Sequence, residues 1–270
     1  MVTLSDLRAM QGDARSLAED LGITTRDLGD KELTRFGRSF ERQFIQALGD
    51  REMVDIHLRH QKEALLGAMI AKEQMDAEID SEQPASNKIG GPLAIRACWL
   101  ALGDDWEDLY SIYNTAQGAW TTGAPQHWIH SGTQLGGGTA GAVPVRIGAN
   151  AVHVVYALSS IHASPKIENI QFTIDGKLKP LLLTMWAQKH APGLQQRIKE
   201  LDNCYLFKKD TTVYSSVFIS DAFGELVSMV TDFPVLYGVS YIKEPALRIS
   251  DPNKVTRVII GATHEVVHVA

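Results

Sequence analysis

Apolar residues recur at helical spacing through the first third of the chain and at two-residue spacing through its second half. Leu4, Leu7, Ala14, Leu17 and Leu21 form one helical stripe, closed by Gly22, and Thr3 with Asp6 has the spacing of a capping box. Leu33, Phe36, Phe40, Phe44 and Leu48 mark a second helix ending at Gly49, where Asp50 can cap the next. Val54, Leu58, Leu65 and Met69 line one face of a third. Arg51, Arg59, Lys62, Glu63, Lys72 and Glu73 give its other face charge. Such stripes bury themselves against one another or against a neighbouring subunit.

After Val143 the period changes. Val152, Val154, Tyr156 and Leu158 alternate with other residues, as do Ile170, Phe172 and Ile174 before Asp175-Gly176, a strong turn signal. Further strands are expected over 212–220, 235–243, 245–250, 255–261 and 264–269. One helical interruption is expected around 178–200, where LLLTMWAQKH and LQQRIKEL lack a two-residue period. Between the two halves, 81–91 is polar and rich in breakers and reads as a linker. Pro92 suits the first turn of a fourth helix with Trp99, Leu102, Trp106, Leu109 and Tyr113 on its apolar side. The expected division is a helical arm or bundle (1–80), the linker (81–91), an aromatic-rich helix and Gly-rich loop (92–142), and a β-sandwich (143–270).

Composition narrows the class. A chain of 270 residues with 44% hydrophobic and 21% charged residues is globular and can bury a sizeable core. A net charge of −6 argues against broad electrostatic binding of nucleic acid or of an anionic membrane. No apolar run is long enough to span a bilayer, and the first residues lack the apolar stretch of a secretory leader, so synthesis in a cytoplasm is expected. Cys98 and Cys204 form no metal-binding or disulfide framework and read as reduced thiols.

The candidate chemistry is thin. His264-Glu265-Val266-Val267-His268 spells the H-E-x-x-H of zinc proteases. Two histidines four apart share a face on a helix or a strand, so only Glu265 discriminates. On a strand it faces away from both rings, and the β-branched residues around it favour a strand. The motif's third ligand normally lies downstream, where no residues remain to supply it. Zinc hydrolysis through His264, Glu265 and His268 is therefore set aside, and no metal or other cofactor is expected. GGGTAG at 136–141 lacks the flanking strand and helix of a dinucleotide site. The pairs His57/His60 and His127/His130 lack a completing ligand set, and DDWED at 104–108 reads as a solvated helix start.

The runs AVHVVYALSSIHASPKIENIQFTIDGKLKPLL, TTVYSSVFISDAFGEL and PALRISDPNKVTRVIIGATHEVV have a recognisable order. Residues 143–270 resemble the C-terminal jelly roll of the major capsid proteins of tailless, membrane-containing icosahedral phages, the corticovirus-like group. Those proteins carry two jelly rolls in tandem, whereas the first 142 residues here read as helical and aromatic. The resemblance implies an α+β fold, a helical N-terminal region followed by an antiparallel, jelly-roll-like β-sandwich with one helical insertion. It also implies a structural protein of the virion that assembles with copies of itself and with other virion proteins, and no catalytic residues. Phe36, Phe40, Phe44, Leu58, Leu65, Met69, Trp106 and Trp120 are the expected interface side chains. The alternative is a cytoplasmic β-sandwich binding module that takes carbohydrate or protein on the aromatic segment 99–128, where four of the five tryptophans fall.

Overall fold

The structure is a computed structural model. It describes residues 3–46, 51–79, 95–99, 119–120, 126–127, 144–160, 167–183, 199–219, 227–228, 234–243, 255–259 and 265–268. Four helices come first: α1 (Leu4–Asp20), α2 (Asp30–Gln46), α3 (Arg51–Arg59) and α4 (Gln61–Met75). Fourteen strands follow: β1 (Ile95–Trp99), β2 (Ala119–Trp120), β3 (Gln126–His127), β4 (Val145–Arg146), β5 (Ala151–Ser160), β6 (Ile167–Ile174), β7 (Lys177–Leu178), β8 (Leu182–Leu183), β9 (Lys199–Phe207), β10 (Thr212–Ile219), β11 (Val227–Ser228), β12 (Pro234–Lys243), β13 (Val255–Ile259) and β14 (Glu265–His268). No described helix is long and apolar enough to cross a membrane.

The local signals for α1 hold. Thr3 and Asp6 form the reciprocal capping box, and Gly22 takes a left-handed φ of 63° just past the helix. The third helical stripe does not run unbroken. It divides at His60, whose backbone (φ −106, ψ 20) leaves the helical path between α3 and α4. Neither Gly nor Pro marks this break in the sequence. The His60 side chain is engaged by groups distant in the chain, as described below.

Two antiparallel sheets carry the β half. Their strand orders are β1-β12-β5-β9 and β3-β10-β6-β7, with β4 on β10 and β8 on β6. The pairings are nested: β1 with β12, β3 with β10, β5 with β9, and β6 with β7, each pair enclosing the next along the chain. The innermost pair closes on Asp175 (φ 49) and Gly176 (φ 71), the positive-φ turn that Asp-Gly predicts.

One expectation fails here. The helix placed after Pro92 is a strand at Ile95–Trp99, paired along its length with Trp99↔Val239 through Ile95↔Lys243. The aromatic segment therefore contributes to the first sheet, which begins well before residue 143. At Ile95–Trp99 strand pairing with distant residues overrides the local pattern. Of the helical interruption expected around 178–200, Leu182–Leu183 and the start of β9 at Lys199 are extended, and 184–198 lie outside the described residues. The proposed linker 81–91, the Gly-rich loop 136–141, DDWED, Trp106 and the strand expected over 245–250 lie outside the described residues.

Three layers result: helices, first sheet, second sheet. The two sheets share one apolar core, with Val155, Leu158, Leu201, Phe207 and Leu236 meeting Ile170, Phe172, Val213 and Val217. On its other face the first sheet is covered by the helices. Val152, Val154, Tyr156, Tyr237, Val239 and Tyr241 pack with Leu33, Phe36, Ile56, Ala64, Leu65, Ala68 and Met69. This corrects the expectation that the helical stripes reach a neighbouring subunit. Phe36, Leu65 and Met69, expected at an interface, are buried inside their own chain, while Leu58 is exposed. The side chains of Phe40, Phe44 and Trp120 lie outside the described set.

Helix α4 is the centre of this packing and is buried continuously from Ala64 to Ala71. Gly67 lies so close to the first sheet that a Cβ there would overlap the Val154 side chain and touch the Tyr241 ring. The Tyr241 hydroxyl donates to the Ala64 carbonyl at 2.7 Å, and Lys243 Nζ donates to the Met75 carbonyl at 2.6 Å. Buried Glu32 fastens α2 to this unit. It pairs with Lys72 of α4 and accepts from the backbone N–H groups of Gly29 (2.9 Å) and Ile79 (3.1 Å).

Three stability results follow. Gly67→Ala lowers stability by about 1–3 kcal/mol, the cost of overpacking, although Ala is the better helix former by about 1 kcal/mol. Gly12→Ala in α1, where a Cβ meets nothing within 4 Å, raises stability by about 0.5–1 kcal/mol. Glu32→Ala strands Lys72 and the buried Ile79 N–H and costs about 3 kcal/mol. Urea unfolding of the three variants beside the wild type reads all three values.

Candidate functional site

A polar cluster sits where the first sheet is irregular. Val155 and Ala157 of β5 pair with Gly238 and Tyr237 of β12, and with Tyr205 and Glu200 of β9. Tyr156 therefore has no opposite residue on either side, and Leu201 to Cys204 of β9 bulge out across from it. Bulges of this kind re-aim side chains and gather near functional sites. Gly238 is required beside it, since a Cβ there would fall on the Val154 carbonyl. Tyr156 faces the helices in step with Val152 and Val154, and the bulge places Ala157 on that same side and turns Leu158 to the second sheet.

There Tyr156 meets both histidines of His57-Leu58-Arg59-His60. Its hydroxyl shares a hydrogen bond with His57 Nδ1, and its ring stacks on His60 with centroids 4.6 Å apart and an interplanar angle of 12°. His60 Nε2 lies 3.0 Å from Glu200 Oε2, and its Nδ1 lies 3.6 Å from Glu63 Oε2. The second separation is an ion-pair distance, too long for a good hydrogen bond. Arg59 forks onto Glu200 from outside, Nη2 at 2.6 Å and Nε at 3.4 Å. His57 is fully buried and His60 mostly so. Both rings point into the seam between helices and sheet.

The electrostatics are coherent. Burial by itself lowers the His60 pKa, but Glu63 and Glu200 outweigh it and hold the value above the ordinary imidazole range. Burial raises the two carboxyls, and contact with His60 and, for Glu200, Arg59 brings both below their usual range. Burial first, then Tyr241 and the Glu63 charge, push the Tyr156 phenol well up, so it stays neutral. Burial, with the Glu63 charge beside it, raises the Cys204 thiol to about 11, which makes it a poor nucleophile. Among the described residues no group of three His, Cys, Asp or Glu side chains could hold a metal ion. The arrangement is built to keep a proton on His60 between two carboxylates.

On the same sheet His153 is the opposite case. It is fully buried, and its Nδ1 shares a 2.7 Å hydrogen bond with Ser240 Oγ. Burial drops its pKa to about 3, so it is neutral in the fold.

The motif histidines fall elsewhere. Glu265–His268 is the strand β14, paired with β13 through Ile259↔Glu265, Val258↔Val266, Arg257↔Val267 and Val255↔His268. The backbone there is extended, as the β-branched residues predict, and lacks the helical turn the zinc motif uses; His264 lies outside the described residues. His127 is in β3 and pairs with Ser216, without a described side chain. The sequence did show the His57/His60 pair, but its partners Tyr156 and Glu200 lie 99 and 140 residues away, and no spacing rule reaches them.

The sign of the His153 effect is fixed by its depressed pKa. The unfolded chain takes up a proton near pH 6.5 that the folded chain refuses until about pH 3. Stability is complete above about pH 6.5 and falls as pH drops, by up to about 1.4 kcal/mol per pH unit. Urea midpoints measured between about pH 6.5 and 4.5, above most carboxylate titration, show this slope in the wild type. The double variant His153→Leu with Ser240→Ala flattens it.

No family model matches the chain, and no curated protein matches it. Among solved structures it is similar to a cycloisomaltooligosaccharide glucanotransferase of Paenibacillus sp. in complex with cycloisomaltoheptaose. The identity is 10% and the TM-score 0.18, over 66% of this chain and 21% of that one. This chain spans about a fifth of that enzyme's length, and a likeness of that size carries no argument about fold or function.

Proposed function

We propose that this chain is a structural, self-assembling protein of the virion type, a jelly-roll wall with a helical layer fixed to one sheet. The nested strand pairing supports the reading. Taking β1, β3, β5, β6, β7, β9, β10 and β12 as first to eighth, the first pairs with the eighth, the second with the seventh, the third with the sixth and the fourth with the fifth. Successive pairs alternate between the two sheets, which is one long hairpin rolled into a double Greek key. Shell proteins use this topology because it makes a rigid block whose loops and outer faces can be specialised for neighbours.

The surface is compatible with assembly. Leu21 (52% exposed) and Leu58 lie on the helical layer, whereas Leu178 (67% exposed) and Leu181 lie at the β7–β8 edge of the second sheet. Apolar sites on different layers favour head-to-tail contacts, which propagate into rings, sheets or shells. Light scattering after size exclusion, with electron microscopy of the concentrated protein, tests the reading. Particles, sheets or tubes are expected, and Leu178→Asp with Leu181→Asp reduces them. A wild-type monomer that persists at high concentration in assembly-promoting salt overturns the proposal. If that monomer also binds glycans, it is a carbohydrate-binding module instead.

A further inference from the structure

Helix α3 meets the rest of the fold at its C-terminal half, where its side chains are described. Its described buried side chains are Ile56 and His57, whereas α4 is buried through most of its length. At its C-terminal end the chain turns at His60 into the cluster on the β5/β9 bulge. The groups gathered there come from every element that packs on it. Arg59 and His57 come from α3, Glu63 from α4 with Lys62 beside it, Tyr156 from β5, and Glu200 from β9 with Cys204 near enough to feel the Glu63 charge.

We propose that this cluster is a proton-operated latch, which fastens α3 to the bulge while His60 carries its proton and releases α3 when the proton leaves. The geometry gives the reason. An imidazolium turns an N–H toward each carboxylate, hydrogen-bonded at 3.0 Å to Glu200 and at ion-pair distance, 3.6 Å, from Glu63. A neutral imidazole has one. Deprotonation therefore leaves one carboxylate facing a lone pair, and removes the cation that lies between the two negative charges, leaving Arg59 on Glu200 and Lys62 near Glu63 at the outside of the seam. The stacked Tyr156 ring stays neutral and offers no replacement charge. The carboxylates and the ring balance only as a charged set.

The sign follows from linkage. His60 has a raised pKa in the closed state, so its contribution is complete below about pH 6.5 and is lost as pH rises through the folded value. Glu63 and Glu200 have lowered values, so theirs is present above the ordinary carboxylate range and is lost in acid. The latch is closed between these limits and opens on either side. It stands independently of the assembly reading.

Native-state hydrogen exchange by mass spectrometry, corrected for the intrinsic effect of pH, tests it. Between about pH 6 and pH 9, protection of α3 is expected to fall about three- to tenfold, while the buried stretch Ala64–Ala71 of α4 keeps its protection. The His60 ring proton, followed by NMR, titrates with the same midpoint, above the ordinary value. His60→Gln removes the pH dependence of α3. Glu200→Gln, which keeps the shape and removes one charge, moves the midpoint to lower pH and carries the test if His60→Gln does not fold. The proposal is overturned if α3 protection is flat while His60 titrates, if α3 and α4 lose protection together, or if both variants keep the wild-type pH dependence.

Discussion

Everything in this molecule is arranged around a sheet that has no free face. The strands β1-β12-β5-β9 pack on a second sheet on one side and on four helices on the other. A half-buried strand can afford polar residues on alternate positions, but a doubly covered one cannot. Hence β5 is buried from Val152 to Leu158 without interruption, and even its histidine is held neutral. The same demand falls on α4, which must fit between the sheet and the outer helices. Gly67 and the flanking alanines Ala64, Ala68 and Ala71 let its backbone come close.

Close packing of this kind leaves little room for polar groups, and those that enter are organised. Glu32 is surrounded by two backbone donors and Lys72. Gln74 spans from the end of α4 to the carbonyls of Ala149 and Ala151 and accepts from the Lys209 N–H. The His60 cluster occupies the one place where the first sheet departs from regular pairing on both sides of a residue. A regular strand would alternate residues between the two faces. The bulge lets Tyr156 and Ala157 share one and turns Leu158 to the other. Strand irregularity and polar clustering therefore coincide at Tyr156, facing the break between α3 and α4 at His60.

The layered build also changes what the helical region means. Amphipathic stripes joined to a β half read as an arm when the sequence alone is considered, because a stripe announces that it will be covered without naming the cover. Phe36, Leu65 and Met69 are covered by their own chain. Among the described residues the exposed large apolar side chains are Leu21 and Leu58 on the helices and Leu178 and Leu181 at the far sheet edge.

The sequence by itself determined the elements whose causes are local. The Thr3/Asp6 box and Gly22 bound the first helix, Asp175-Gly176 makes a hairpin turn, and alternation marks the strands at 151–160, 167–174 and 212–219. β-branched residues likewise identify Glu265–His268 as extended. Only the tertiary structure decided the rest. Ile95–Trp99 becomes a strand because β12 offers it an edge across about 140 residues, against its own helical spacing. The third stripe divides at His60 because Glu200 and Tyr156 hold that ring from the sheet. Periodicity reports which face of an element is apolar, since that is set by neighbours three, four or two residues away. Which surface that face meets, and where a ring and two carboxylates share a proton, depends on residues that folding alone brings together.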